Sequence, residues 1–564
     1  MKKYIIIILI IPQIIFSQNF TRQDTLRGSI TPERAWWDLT YYHLDISVDP
    51  ENKFIKGSNT IQYKVLDSKD EMQIDLQKPL KITKILQNNR ELSYRIDGYS
   101  HFIKLNKKQK KDDINSIKVF YEGNPKVAVR PPWDGGLTWT RDSNGKHFVA
   151  NSNQGIGASI WWPNKDHMYD EVDSMLISVN VPKDLVNVSN GRLRSVDDLG
   201  ETKTYHWFVS NPINNYGVNI NIGDYVKFSE VYDGEKGDLD MIYYVLRDNI
   251  LLAKSQFKDA IKMMQAFEYW FGPYPFYEDS FKIVEVPYLG MEHQSAVTYG
   301  NGFSIYNGVR SSSWAMYGVI DPLIIHETGH EWFGNSVTAS DPTHIWIHEG
   351  LQVYSEALYF EDKFNSYPVS IDYLKSIKSR IANKIPIVGN EDENHWALSG
   401  DTYMKGAWIM HTLRSVINND EIWFKILKEF MVENAKGFAN TRDFFNKVEE
   451  KTGEDFWYFA EQYFYSPNQP VLEYYQDENI KPDLILIDGR FRVACCLKCF
   501  EGMSPNCTIA FDDFLNRPKY HVVLDYFDIV DYTRNNRMVM LRKKNVKGPS
   551  RELIQKYEKI KRDN

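Results

Sequence analysis

His326-Glu327-Thr328-Gly329-His330, followed by Glu349, is the group of residues best suited to chemistry in this chain. Two imidazoles four positions apart on a helix stand one above the other, separated by about 6 Å along the axis. Both can then reach one divalent ion, at about 2.0–2.1 Å each. Glu327 would stand beside that ion, where it can take a proton from a bound water. Glu349, nineteen residues after His330, can supply a third ligand from a following helix and leave a fourth position open. The pattern reads as a zinc hydrolase. The competing reading is a solvated, charged helix face with incidental histidines, and the flanking residues weigh against it. Asp321-Pro322 predicts a capped helix start, and Gly334-Asn335 predicts its end. Leu323, Ile324, Ile325, Trp332 and Phe333 call for burial. Buried histidines and a glutamate need compensation, which a metal ion provides.

The elements around this segment fall into three stretches. From 37 to about 225, apolar and polar residues alternate, as in Tyr42, Leu44, Ile46, Val48 and again in Met175, Ile177, Val179, Val181. That period predicts a large antiparallel β domain. At 251 the period changes, and 251–271 predicts one helix, stopped by Gly272-Pro273. Helical patterns then dominate to about 464, with strands predicted around 281–286 and 295–304. The metal motif therefore lies in a mixed α/β region with a helical majority. Beyond Tyr475, apolar runs at 484–487 and 521–526 predict short strands, and the Lys/Arg-rich tail 542–564 predicts a solvated helix.

With 564 residues, 43% hydrophobic and 25% charged, the chain is long enough for several cored domains. A formal charge of −8 gives no reason to expect nucleic acid as a partner. Met1-Lys2-Lys3, an apolar run to Phe16 and Ser17-Gln18 predict a cleaved signal segment over 1–17 and a secreted or periplasmic protein. The alternative is a retained N-terminal anchor; no later segment reaches membrane-spanning length. The four cysteines, Cys495, Cys496, Cys499 and Cys507, cluster near the end. Their spacing is half of a zinc ribbon without its second half, so a local disulfide or free thiols is the expectation.

Residues 326–338 and His348-Glu349-Gly350 resemble the gluzincin aminopeptidases, a family that includes aminopeptidase N and leukotriene hydrolase. Four further stretches carry the resemblance. Gly290-Met291-Glu292-His293 is similar to the family's exopeptidase motif, and Thr402-Tyr403-Met404-Lys405-Gly406 to its tyrosine motif. Gln154-Gly155-Ile156, nine residues ahead of Pro163, is similar to the β-domain segment that contributes an amine-binding glutamine. Phe464-Tyr465-Ser466-Pro467-Asn468 and Val471-Leu472-Glu473-Tyr474 are similar to the end of the family's catalytic domain.

The resemblance implies a multidomain α+β protein, with an N-terminal β-saddle domain at 18–228 and a thermolysin-like catalytic domain at 229–475. The short β-rich segment read from the apolar runs at 476–564 departs from the family, fitting neither the large helical C-terminal domain of its longer members nor its β-sandwich. It implies one Zn2+ per chain, held by His326, His330 and Glu349, with Glu327 as general base. Glu292 and Gln154, with Gly290 and Met291 in the same motifs, would bind the substrate's free amine, since a buried carboxylate makes a strong charge-assisted hydrogen bond to ammonium. Tyr403 would stabilise the tetrahedral oxyanion. Taken singly, Glu292 also reads as a surface strand residue, Gln154 as a turn residue and Tyr403 as a core aromatic. The implied activity is removal of N-terminal residues from peptides; a zinc endopeptidase and a non-catalytic peptide-binding relative are the alternatives. Two departures matter. His293 stands where many members have Asn, which would make amine binding depend on pH. Leu398 stands where leukotriene hydrolase has a second tyrosine, which disfavours epoxide hydrolysis.

Overall fold

The computed structural model describes residues 21–303, 321–394, 400–467, 484–487, 492–533 and 538–558. The predicted signal segment, Leu398 and the stretch 471–474 lie outside the described residues. The chain divides into two compact units, Met1–Pro470 and Val471–Asn564.

In the first unit, the alternating strand at Trp37–Asp49 buries Tyr42, Leu44, Ile46 and Val48 on one face. It lies in an eight-stranded sheet between Ser174–Pro182 and Phe54–Val65. The sheet is antiparallel except at one place: Trp37–Asp49 runs parallel to Ser174–Pro182, with Leu44 opposite Ile177. The long intervening chain makes this parallel return possible. A three-stranded and a four-stranded sheet pack on the same apolar core. The four-stranded sheet matters for the site, because its strand His147–Ser152 leads directly to Gln154.

A mixed five-stranded sheet follows. Tyr225–Gly234 and Gly237–Leu246 form a hairpin, Phe281–Glu285 and Val297–Tyr299 add in parallel, and Gly290–Met291 closes the edge antiparallel to Val297–Tyr299. The helix predicted over 251–271 is broken. Ile250–Gln256 and Ala260–Phe271 are α-helical, and Phe257–Asp259 tightens to a 3-10 turn. Phe257 is pulled into the core there, against Tyr243 and Tyr299.

The helices that carry the site meet at glycines. Trp346–Phe364 packs on Asp401–Ile417 through Gly350 and Gly406. A Cβ at Gly406 would stand 2.8 Å from the Gly350 Cα, so neither position has room for a side chain without separating the helices. Both glycines belong to the motifs named above, and their backbone contact sets Glu349 against Tyr403.

The second unit has its own core. Its sheet order is Leu484–Ile487, Thr508–Asp512, Met538–Lys543, Phe527–Tyr532, with helices Arg492–Gly502 and Arg551–Glu558. The strand expected at 521–526 is a 3-10 run, Pro518–Asp525, whose Tyr520 and Val523 point into the core at a spacing of three. The tail is not a solvated helix. Its first two residues end the strand Met538–Lys543, and its helix Arg551–Glu558 packs Leu553, Ile554 and Tyr557 against the core. None of the four cysteines forms a disulfide; Cys496, Cys499 and Cys507 are buried among apolar side chains. Among the described residues, no helix is long and apolar enough to cross a membrane.

Candidate active site

Asp321 caps the helix Pro322–Gly329 by accepting from the Leu323 N–H at 3.0 Å, and Pro322 fills the first helical position. The α-helix ends sooner than the sequence predicts. After Gly329 the chain winds into tighter turns, with Glu331 N–H donating to Thr328 and Trp332 N–H to Gly329. His330 is the first residue past the helix and keeps right-handed backbone angles, so it still faces His326.

His326 Nε2 and His330 Nε2 are 3.3 Å apart. Glu349 Oε2 lies 3.8 Å from the first and 3.5 Å from the second. Ligand atoms about 2.0–2.1 Å from a tetrahedral zinc are about 3.4 Å from one another, so the triangle has the size of one face of such a site. Glu349 Oε2 is buried and has no hydrogen-bond partner. An orphaned carboxylate oxygen between two imidazole nitrogens is costly unless a cation joins them. The residues present fit one zinc ion.

The other ring nitrogens are held. His326 Nδ1 is 2.6 Å from Glu356 Oε1, and Glu356 in turn accepts from Tyr373. His330 Nδ1 donates to the Phe333 carbonyl at 2.8 Å. Such partners fix the imidazole tautomer and raise its basicity towards a metal. Glu356 was not singled out from the sequence. Its signal is the seven-residue spacing from Glu349, which places both carboxylates on one face of the same helix.

Glu327 and Glu292 complete the cluster. The carboxylates of Glu292 and Glu327 come within ligating range of His330. Burial pushes the Glu327 carboxyl up to about 8; the neighbouring His326 opposes this and the Glu292 charge adds to it. Burial likewise raises Glu292. Glu349 is held down to about 2: burial opposes, and the His330 charge prevails. Tyr403 lies parallel to the His326 ring at 6.4 Å, and burial raises its phenol well above the ordinary range.

The amide of Gln154 joins the two halves of the site. Its Nε2 donates to Glu292 Oε1 at 2.6 Å and to Glu349 Oε1 at 2.7 Å. The turn that presents it is anchored by Asn153, whose Nδ2 donates to the Tyr216 carbonyl at 3.0 Å. Gly290 faces Glu327; a Cβ there would stand 3.0 Å from Glu327 Oε1. The Met291 side chain turns away into a packed cluster with Ala150, Tyr216, Val286 and Tyr288.

Two residues of the histidine segment hold the Glu292 loop. Asn335 Nδ2 donates to the Glu292 carbonyl at 2.8 Å, and Glu331 accepts from Ser295 N–H at 2.9 Å and Tyr274 hydroxyl at 2.7 Å. Their motif positions were visible in the sequence; their long-range partners were not. His293 points away from the cluster. Its nitrogens face the carbonyls of Asn151 at 3.1 Å and Gly217 at 3.3 Å, and burial lowers it to about 4. It ties the loop to the β layer and faces away from the carboxylate cluster, so the expected contact with the amine is not made by this residue.

Residues 255–463 match the model of the peptidase family M1 domain. Aminopeptidase M1-D of Oryza sativa subsp. japonica is 26% identical over 331 residues, covering 56% of this chain and 37% of that protein. The chain thus spans well under two thirds of the length of such curated relatives. The M1 zinc metallopeptidase from Deinococcus radiodurans has a similar fold, with TM-score 0.67 and 16% identity over 80% of this chain and 99% of that one; it has also been solved as a mutant bound to a Tyr-Ser-Ala substrate. Yeast LTA4 hydrolase matches with TM-score 0.64 and 18% identity, over 85% and 74% of the two chains. The donor triangle and the motifs around it fall where residues 255–463 are similar to the peptidase family M1 domain.

Proposed function

We propose that the protein is a zinc aminopeptidase that removes single residues from peptides with a free N-terminus. The observation that carries this reading is the Gln154 amide bridging Glu292 and Glu349. It ties a buried carboxylate, suited to an ammonium group, to the carboxylate of the metal triangle. A substrate whose amine rests on Glu292 has its first peptide bond beside the metal donors, which is how an exopeptidase measures one residue. The Deinococcus enzyme's complex with Tyr-Ser-Ala supports a peptide as the class of substrate.

Zinc, when bound, supplies a Lewis acid that acidifies water and polarises a carbonyl. Glu327 takes the proton of the attacking water and returns it to the leaving amine. Tyr403 donates its hydroxyl to the carbonyl oxygen as that oxygen becomes anionic. Glu292 and Gln154 hold the α-ammonium and keep the scissile bond in register. Glu356 and Phe333 keep the two imidazoles turned towards the metal position.

The test compares a free leucyl-alanyl peptide with its N-acetyl form. Wild type cleaves the free peptide and leaves the acetylated one, and Glu292→Ala loses that discrimination. Equal cleavage of both peptides by wild type would make the protein an endopeptidase. No cleavage by zinc-loaded protein would make it a binding relative. We propose further that the protein works outside the cytoplasm, on the basic and apolar character of its first residues. Recovery of the full-length chain from the cytosolic fraction, uncleaved, would refute that.

A further inference from the structure

A cavity with room for about 60 Å³ of water, open to solvent, is lined in part by Gln154 and Gly155. Met168, Tyr216, Pro342 and Ile345 give it apolar walls. One wall comes from an element well outside the matched segment: the helix Arg22–Gly28, seated by Arg34, whose Nη1 donates to the carbonyls of Arg27 and Ser29 at 3.0 Å each. Among the described residues that line the cavity, Arg27 and Asp166 carry the charge, since burial keeps His167 neutral.

Those two charges are built as a pair. Arg27 Nε is 3.7 Å from Asp166 Oδ2, and its Nη2 donates to the Gly155 carbonyl at 2.7 Å. Asp166 also accepts from the Ala158 N–H at 3.2 Å. The pair lies on Gly157, where a Cβ would stand 2.2 Å from Asp166 Oδ2 and 2.5 Å from Arg27 Nη2. Gly157 has φ +92°, so a side chain is excluded there on both grounds.

We infer that this cavity receives the substrate's first side chain, and that Arg27 sets its selectivity by neutralising Asp166, so that uncharged aliphatic first residues are preferred. The inference rests on the aminopeptidase reading. Gln154 is shared by the two, since it bonds Glu292 and also lines the cavity, so an amine held at Glu292 and Gln154 brings the first side chain to the cavity wall. With the pair intact, a charged side chain loses water and meets no net opposite charge. Without Arg27, the Asp166 carboxylate faces the cavity alone and attracts a cation; without the Asp166 charge, Arg27 attracts an anion.

The experiment measures kcat/KM for leucyl, methionyl, arginyl and glutamyl reporter amides with wild type, Arg27→Met and Asp166→Asn. Wild type is expected to favour Leu and Met over Arg and Glu by at least about tenfold. Arg27→Met should raise the Arg:Leu ratio about tenfold, and Asp166→Asn the Glu:Leu ratio by a similar factor. In parallel, calorimetry on the zinc-loaded Glu327→Gln protein compares leucine amide with arginine amide, with and without Arg27→Met. Unchanged ratios in variants that melt like wild type would overturn the inference, as would a wild-type preference for a charged residue. If Arg27→Met does not fold, the Asp166→Asn ratio decides. Wild type that cleaves no free-amine reporter refutes the aminopeptidase reading, and the calorimetry then still decides whether Arg27 controls the cavity.

Discussion

The helical and β parts of the site hold their groups in different ways. Glu349 and Tyr403 sit on helices whose backbones touch at Gly350 and Gly406, and the histidines hang from a capped helix turn. Gln154 and Tyr216, from the β region, sit on irregular chain fixed by asparagine side chains such as Asn153 and Asn151. The first arrangement leaves no freedom to move a ligand atom without opening a helix interface. The second depends on those asparagine side chains, and its other side chains are free to change while the asparagines hold the turns. On the proposed reading, reactivity is placed on rigid secondary structure, and recognition on turns that a rigid sheet presents.

Four substitutions sharpen or break this division. The largest effect belongs to Glu327→Gln, which removes the proton acceptor and keeps the shape. It is expected to lower kcat by roughly 10²–10⁴-fold with zinc content unchanged. Loss of zinc instead would mean that Glu327 is a ligand. Next, Tyr403→Phe should lower kcat by about 10²–10³-fold, or about 2.7–4 kcal/mol, with little change in KM. A change confined to KM would move Tyr403 from the reacting atoms to substrate binding.

A smaller effect is expected behind the metal. Glu356→Gln keeps a polar partner on His326 Nδ1 but removes its charge. Zinc affinity, read by competition with a chelator, should fall about 10–100-fold. Unchanged affinity would show that helix packing alone orients the imidazole.

The smallest effect concerns the junction between the β layer and the histidine segment. Thr338 Oγ1 is 2.6 Å from Glu171 Oε1 and 2.7 Å from the Gly334 carbonyl. A hydroxyl has one proton, so both contacts are satisfied when Glu171 is protonated. Burial pushes Glu171 up from 4.5 to about 8; hydrogen bonds from Thr338 and Asn214 oppose this and the Asp170 charge adds to it. A carboxyl raised on folding contributes stability that is full below its unfolded pKa and is lost as pH rises through the folded one. Wild type should therefore lose stability between about pH 4.5 and pH 8 from this group. Glu171→Gln should lose less, melting above wild type at pH 8.5 and converging with it near pH 4.5. Parallel melting curves would show that Glu171 is ionised throughout.

The same division governs how much of the molecule was legible in the sequence. Local periods and caps showed the strand at Trp37–Asp49 and the helix start at Asp321-Pro322, because those depend on neighbouring residues. The metal triangle was legible because its spacing is helical. The early end of the Pro322–Gly329 helix and the 3-10 turn at Phe257–Asp259 were not, since tertiary packing sets them. The run 521–526 misled for another reason: its apolar residues form a short cluster, and only the inward pair Tyr520 and Val523, three apart, marks a 3-10 turn, since a strand would place them on opposite faces. Arg27, Glu171, Tyr216 and Asp166 gave no signal at all, because their partners are far away in the chain.

The central claim is that His326, His330 and Glu349 bind one zinc ion beside the Gln154–Glu292 amine site. Anomalous diffraction at the zinc edge, from crystals grown with leucine amide, tests it most directly. The account predicts one anomalous peak about 2.0–2.2 Å from all three donor atoms, with the ligand's amine on Glu292. A peak elsewhere, or an amine held away from Glu292 with zinc in place, would contradict it.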